Sequence, residues 1–173
     1  SFTSKDYPQI EDNYDQVMSE QTAYQVTTLL EGVIKRGTGK KLRDLKLNLA
    51  GKTGTTNENT DAWFIGFTSN LVIGVYVGMD NPKPLGKFET GSKAALPIFK
   101  NFIKLAVKKS EARPFKVPEK ITMMVVDPLT GEKAKFSSKN TIIEVYKSEN
   151  IVEGKVLYTD SNRLDSNNIL RFY

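Results

Sequence analysis

Lys52, Thr53, Gly54 and Thr55 put an ammonium group, two hydroxyls and a residue without a side chain into one short strand-like stretch, Ala50 to Thr56. Alternation along a strand places Thr53 and Thr55 on one face, where both hydroxyls can donate to a carboxylate. Lys52 supplies positive charge for the same anion or for a proton relay. Gly54 lets a second backbone come close, so an extended peptide can add alongside as a further strand. The Thr55 N–H can then serve an oxyanion. Strict alternation sends Lys52 to the face opposite the threonines. A strongly twisted edge strand is needed to bring both faces to the rim of one cleft.

Composition removes most other chemistries. The 173 residues include no histidine and no cysteine. That excludes a Ser-His-Asp triad, a Cys-His dyad, an ordinary zinc site, disulfides and thiolate nucleophiles. Covalent catalysis in such a chain runs on Ser, Thr, Lys, Tyr or a carboxylate. No cofactor is expected. Charge is 25 − 20 = +5, which permits an anionic partner without demanding one. Lys40, Lys41, Arg43 and Lys46, with Lys104, Lys108 and Lys109, have little aromatic interleaving; they read as solvated charge, and no nucleic-acid partner is expected. The apolar run Leu71 to Met79 is under half of the roughly 20 residues a membrane-spanning helix needs.

The elements that must position the strand follow from patterning. Ser19 is a suitable N-cap for a helix whose apolar stripe is Ala23, Val26, Leu29, Leu30, Val33 and Ile34. Lys35 and Arg36 suit its negative end, with Gly37 expected in the left-handed cap conformation. Gly37 to Lys41 reads as a loop and strand-like sequence runs from Leu47 to Thr56. Ala62 to Thr68 and Leu71 to Met79, separated by Ser69-Asn70, predict a hairpin. Both runs are almost continuously apolar, so burial on two faces is expected, with Trp63, Phe64 and Phe67 in the core. A second helix is predicted over Ser92 to Lys109, with Leu96, Phe99, Phe102, Ile103 and Ala106 on one face and Pro97 near its first turn. Composition shifts at Arg113 to Pro118, dividing the chain into residues 1–112 and 113–173. In the second part, strands at Ile121 to Val126 and Thr141 to Tyr146 flank the turn Asp127-Pro128-Leu129-Thr130-Gly131.

Lys-Thr-Gly alone is a weak signal, but its surroundings extend it. The segment resembles the third motif of serine penicillin-binding proteins and β-lactamases. Glu31 to Gly39 looks like the helix-to-loop segment before that motif in class A penicillin-binding proteins. Asp61 to Phe67 looks like the following strand, and Glu89 to Phe99 like the later helix entry. The match covers about Ser19 to Phe102 in family order. It implies an α+β, partial penicillin-binding-protein/β-lactamase-like transpeptidase fold: an antiparallel sheet flanked by helices, plus a small β-rich C-terminal extension. It also implies a D-Ala-D-Ala transpeptidase that crosslinks peptidoglycan stem peptides, is acylated by β-lactams and works on the extracytoplasmic side of the cell envelope. By matching position, Lys52 would be catalytic and would contact the substrate carboxylate. Thr53 and Thr55 would bind that carboxylate along the Gly54 strand, and the Thr55 N–H would form half of an oxyanion hole.

The family's Ser-x-x-Lys occurs nowhere in the chain, so no nucleophile is assigned. Ser-x-Asn occurs at Ser138-Lys139-Asn140, Ser148-Glu149-Asn150 and Ser166-Asn167-Asn168, always after Lys52, whereas the family places it before; these read as chance matches. The chain starts Ser1-Phe2-Thr3 with no initiator Met. The expectation is a C-terminal fragment, inactive alone, whose uncharged Leu71–Met79 strand lacks its family neighbour and leads to self-association. The rival reading is a non-catalytic basic module that binds an extended peptide by strand addition. Asp61 is expected to orient the loop after the Lys-Thr-Gly strand.

Overall fold

The computed structural model describes residues 15–108, 112–135, 138, 140–152 and 155–156. Helix α1 spans Glu20–Lys35, and its first turn is closed by Ser19, whose side-chain oxygen accepts from the Thr22 N–H at 3.2 Å. A short 3-10 segment, Lys40–Leu45, leads into β1, Ala50–Thr55. The chain then turns through Asn57–Asn59 into β2, Ala62–Phe67, and reverses into β3, Val72–Val77. These form one antiparallel sheet in the order β1-β2-β3, with Lys52 opposite Ile65, Gly54 opposite Trp63, and Phe64 opposite Val75. Helix α2, Ala95–Ala106, follows, with Pro97 in its first turn where a missing N–H costs little.

The core lies on one face of this sheet. Phe64, Phe99, Leu96, Ile103 and Leu42 are each at most 1% exposed. Burying a side chain of this size stabilises by roughly 1.5–3 kcal/mol, so each of these five contributes substantially to the apolar driving force. Phe64 and Phe99 meet edge to face at 4.7 Å, joining β2 to α2. Ile34 carries the end of α1 into the same cluster.

A second antiparallel hairpin, β4 (Ile121–Val126) and β5 (Ile142–Lys147), packs against α1. Gln25 Nε2 donates to the Val145 carbonyl at 3.0 Å, Gln21 Nε2 to that of Glu119 at 2.9 Å, and Arg36 pairs with Glu144 at 3.9 Å. The turn after β4 closes as patterned, with the Gly131 N–H on the Asp127 carbonyl at 2.8 Å. A short pair, β6 (Ile151–Val152) with β7 (Lys155–Val156), follows.

Several expectations need correction. The sheet is not buried on two faces among the described residues: α1 and α2 both pack on the Phe64 side, and Trp63, Ile65, Val72 and Tyr76 lie on the open side, 40 to 70% exposed. Trp63 is therefore not a core residue, and its ring rests on Tyr76 at 4.6 Å. On α1, Ala23, Val26 and Leu29 are exposed, because only the helix's C-terminal end reaches the core. Phe102 and Ala106 of α2 likewise face outward. That helix begins three residues later than patterned, after turns at residues 91–94. Residues 40–45 form a 3-10 segment rather than a loop, and β1 starts at Ala50 rather than Leu47. Gly37 does not adopt the left-handed cap: α1 ends instead with the Arg36 and Gly37 N–H groups folded back on the Gly32 carbonyl, and a left-handed residue comes only at Lys46, which caps the 3-10 segment.

Candidate functional site

The site strand is held from three sides. Its end is fixed by the turn that follows. The Thr56 N–H donates to the Asp61 carbonyl at 3.1 Å, and the Asp61 N–H donates to Thr56 Oγ1 at 2.8 Å. Asp61 therefore orients the loop after β1, as its position suggested. Stepping back by two along the antiparallel ladder, Gly54 and Lys52 turn their backbone groups toward β2. The N–H and C=O groups of Thr53 and Thr55 consequently face the other edge of β1, where no strand pairs among the described residues. This is an edge onto which an extended peptide can add.

The side chains follow the expected alternation. Thr53 is opposite Phe64 and Thr55 opposite Ala62, on the helix-covered face, whereas Lys52 is opposite Ile65 on the open face. The length of lysine overcomes this separation: its Nζ donates to the Thr53 carbonyl at 2.9 Å, bringing the ammonium to the strand edge. The Thr53 hydroxyl lies 2.9 Å from that of Thr38. Thr55 Oγ1 accepts from the Gly91 N–H at 3.1 Å, which leaves its own proton free to donate outward. A Cβ at Gly54 would lie 3.1 Å from the Trp63 Cβ, so the absent side chain also serves the β1–β2 contact. The assembled strand offers one cation, two hydroxyls, of which Thr55's is held as an acceptor by Gly91, and the outward N–H groups of Thr53 and Thr55. Such a set suits a carboxylate beside a developing oxyanion.

The other sequence candidates separate from it. Ser148 hydrogen-bonds Thr122 on β4, Ser138 closes a local turn on Lys135, and Ser166 to Asn168 lie outside the described residues. Lys40, Lys41 and Arg43 are exposed on the 3-10 segment, and Lys46 is exposed just after it. Lys100 bridges Asp44 at 2.6 Å, and this bond holds the Asp44 carboxyl below its ordinary range. Among the described residues, no three His, Cys, Asp or Glu side chains are grouped to hold a metal, and no helix is long and apolar enough to cross a membrane. A cleft of about 360 Å³ is lined by Glu20, Gln21 and residues 116–120, none of them from β1. Thr38 and Gly91 were not singled out from sequence. They lie 15 and 36 residues from their partners, and no local pattern announces such contacts.

Residues 4–104 match the model of the penicillin binding protein transpeptidase domain. The chain belongs to this family. It is 48% identical over 141 residues to penicillin-binding protein 1A of Rickettsia prowazekii, covering 82% of this chain and 17% of that protein. Penicillin-binding protein 1A of Pseudomonas aeruginosa is 40% identical over 136 residues, covering 78% of this chain and 16% of the relative. The crystal structure of penicillin-binding protein 1A from Haemophilus influenzae superposes with a TM-score of 0.68 at 30% identity, over 76% of this chain and 21% of that one. The β1–β2–β3 sheet with α1 and α2 is therefore part of a penicillin-binding-protein transpeptidase fold, as the sequence resemblance implied. The chain spans about a sixth of the length of the relatives it matches.

Proposed function

We propose that this chain is the C-terminal part of the transpeptidase domain of a class A penicillin-binding protein, with residues 113–173 as its linker and extension. The intact protein is a serine-type D-Ala-D-Ala transpeptidase that crosslinks peptidoglycan stem peptides and is acylated by β-lactams. It acts on the extracytoplasmic side of the cell envelope, where that substrate lies. The observation that carries this reading is the open edge of β1, with Lys52 Nζ drawn to it and the Thr53 and Thr55 backbone groups facing it.

In this reading the stem peptide adds along β1, and its carboxylate accepts from the Thr53 and Thr55 hydroxyls beside the Lys52 ammonium. The Thr55 N–H polarises the carbonyl under attack and steadies the oxyanion that forms. The serine nucleophile and its lysine base come from the part of the domain that bears Ser-x-x-Lys, which these 173 residues do not contain. Alone, the chain is inactive, and it self-associates through the edge of β3 or by exchanging an element between copies.

The decisive measurement is the second-order acylation rate of the intact protein by penicillin. Preorganised contacts of this type are worth roughly 2–4 kcal/mol, so Lys52→Ala or Thr55→Val should slow acylation by about 30-fold or more. Rates within about twofold of wild type would overturn the assignment. The isolated chain should show no adduct by intact-mass measurement after incubation with penicillin; a stoichiometric adduct on any serine here would refute the fragment reading.

A further inference from the structure

We propose that Thr38 is a positioning residue for the substrate carboxylate, because its hydroxyl, 2.9 Å from Thr53 Oγ1, can donate to Thr53 and so orient and polarise the Thr53 proton toward the anion. The inference rests on the reading of β1 as a carboxylate-binding strand.

Each threonine hydroxyl has one proton and can also accept. In the Thr38–Thr53 pair either oxygen can donate. If Thr53 donates to Thr38, its proton is spent and only lone pairs face an arriving carboxylate. If Thr38 donates to Thr53, the Thr53 proton is free, and a polarised chain runs from Thr38 through Thr53 to the anion. A bound carboxylate selects the second arrangement, and Thr38 is the group that completes it. Thr55 needs no such partner, because the Gly91 N–H can only donate and so fixes Thr55 as acceptor. The two threonines thus differ: Thr55 is preset by backbone, whereas Thr53 is set by a side chain from outside the strand.

Thr38 is held firmly enough for this role. The Gly37 and Gly39 N–H groups flanking it both donate to the Val33 carbonyl, at 3.1 and 3.0 Å. Gly39 is buried, and a Cβ there would lie 2.7 Å from Ile34 Cδ1, so the loop packs closely on the end of α1. Just beyond, Leu42 is 1% exposed and anchors the 3-10 segment in the core. The hydroxyl is therefore carried by backbone whose position the core determines.

The test compares acylation of the intact protein by penicillin and by its carboxylate methyl ester. Thr38→Val should lower the rate with the free acid about tenfold, some 1.4 kcal/mol, yet leave the ester rate within about twofold. Thr38→Ser, which restores the hydroxyl, should recover the acid rate. Thr38→Ala gives the same comparison if the valine packs badly. Equal losses on acid and ester, no loss on the acid, or failure of serine to rescue would each overturn the proposal. Lys52→Ala and Thr53→Val in the same assay separate the two levels. If they lose carboxylate dependence and Thr38→Val does not, Thr38 alone is misassigned; if they too show none, the reading of β1 fails.

Discussion

The Tyr76 hydroxyl donates to Asp61 Oδ1 at 2.8 Å, tying β3 to the residue that closes the turn after the site strand. The other oxygen of this carboxylate, Oδ2, accepts from the hydroxyls of Thr56 at 3.3 Å and Thr60 at 3.4 Å. Asp61 also clasps Thr56 through its backbone, so one residue joins the end of β1, the turn and the far strand of the sheet. Trp63, its ring tilted against that of Tyr76, lies on the open face beside Gly54. The end of β1 that carries the Thr55 N–H is thereby fixed.

This contact predicts an alkaline titration. The hydrogen bond to Asp61 raises the Tyr76 phenol above its ordinary value of 10, with smaller contributions from burial and from the charges of Asp61 and Asp80. A raised pKa stabilises the fold fully below the ordinary value, and that stabilisation is lost as pH climbs past the folded value. Tyr24 is also raised, by burial and then by Glu31. Tyrosinate absorbance should therefore show a late component that Tyr76→Phe diminishes and Asp61→Asn shifts toward lower pH. An unchanged profile in Asp61→Asn would disprove the coupling.

Gly91 tests the support of Thr55 from the other side. A Cβ there would press into the carbonyl oxygens of Trp63 and Gly54, two backbone atoms of the β1–β2 ladder that cannot step aside. Overpacking of this sort costs typically 1–3 kcal/mol, so Gly91→Ala should lower the urea midpoint of the chain clearly. At Gly74 on β3 the nearest atom to an added Cβ is Ile65 Cγ1 at 4.0 Å, an ordinary contact. Gly74→Ala should match or slightly exceed wild-type stability, since alanine suits a strand interior better by roughly 0.5–1 kcal/mol. Equal effects of the two substitutions would show that the Gly91 approach is not tight.

The edge of β3 predicts association of the isolated chain. Beyond β2 it has no strand partner among the described residues, its sequence Val72–Val77 carries no charge, and Val72 is 70% exposed. Edges of that composition template pairing with another chain. Light scattering at micromolar concentration should report dimers or larger species, and Val72→Lys should shift them toward monomer. A monodisperse wild-type monomer would contradict this.

The amino-acid sequence by itself determined the local structure and the Lys-Thr-Gly strand. Ser19, the 3.6-residue spacing ending at Ile34 and the basic pair Lys35-Arg36 specified α1 because capping and amphipathic packing act over a few residues. The two apolar runs around Ser69-Asn70 specified the β2–β3 hairpin for the same local reason, and Asp127 to Gly131 specified the turn after β4. The Lys-Thr-Gly strand and its face pattern were readable because alternation follows from backbone geometry. Only the tertiary structure decided which sheet face is covered. Trp63, Ile65 and Val72 are as apolar as Phe64, so composition cannot tell an open face from a buried one. It also decided how Lys52 reaches the threonines' edge, through a rotamer whose hydrogen bond to the Thr53 carbonyl no pattern specifies. Thr38 and Gly91 became partners of the site threonines because helix packing on the sheet brought distant loops together. Contacts of that range are set by the shape of the whole core, which no short window of sequence contains.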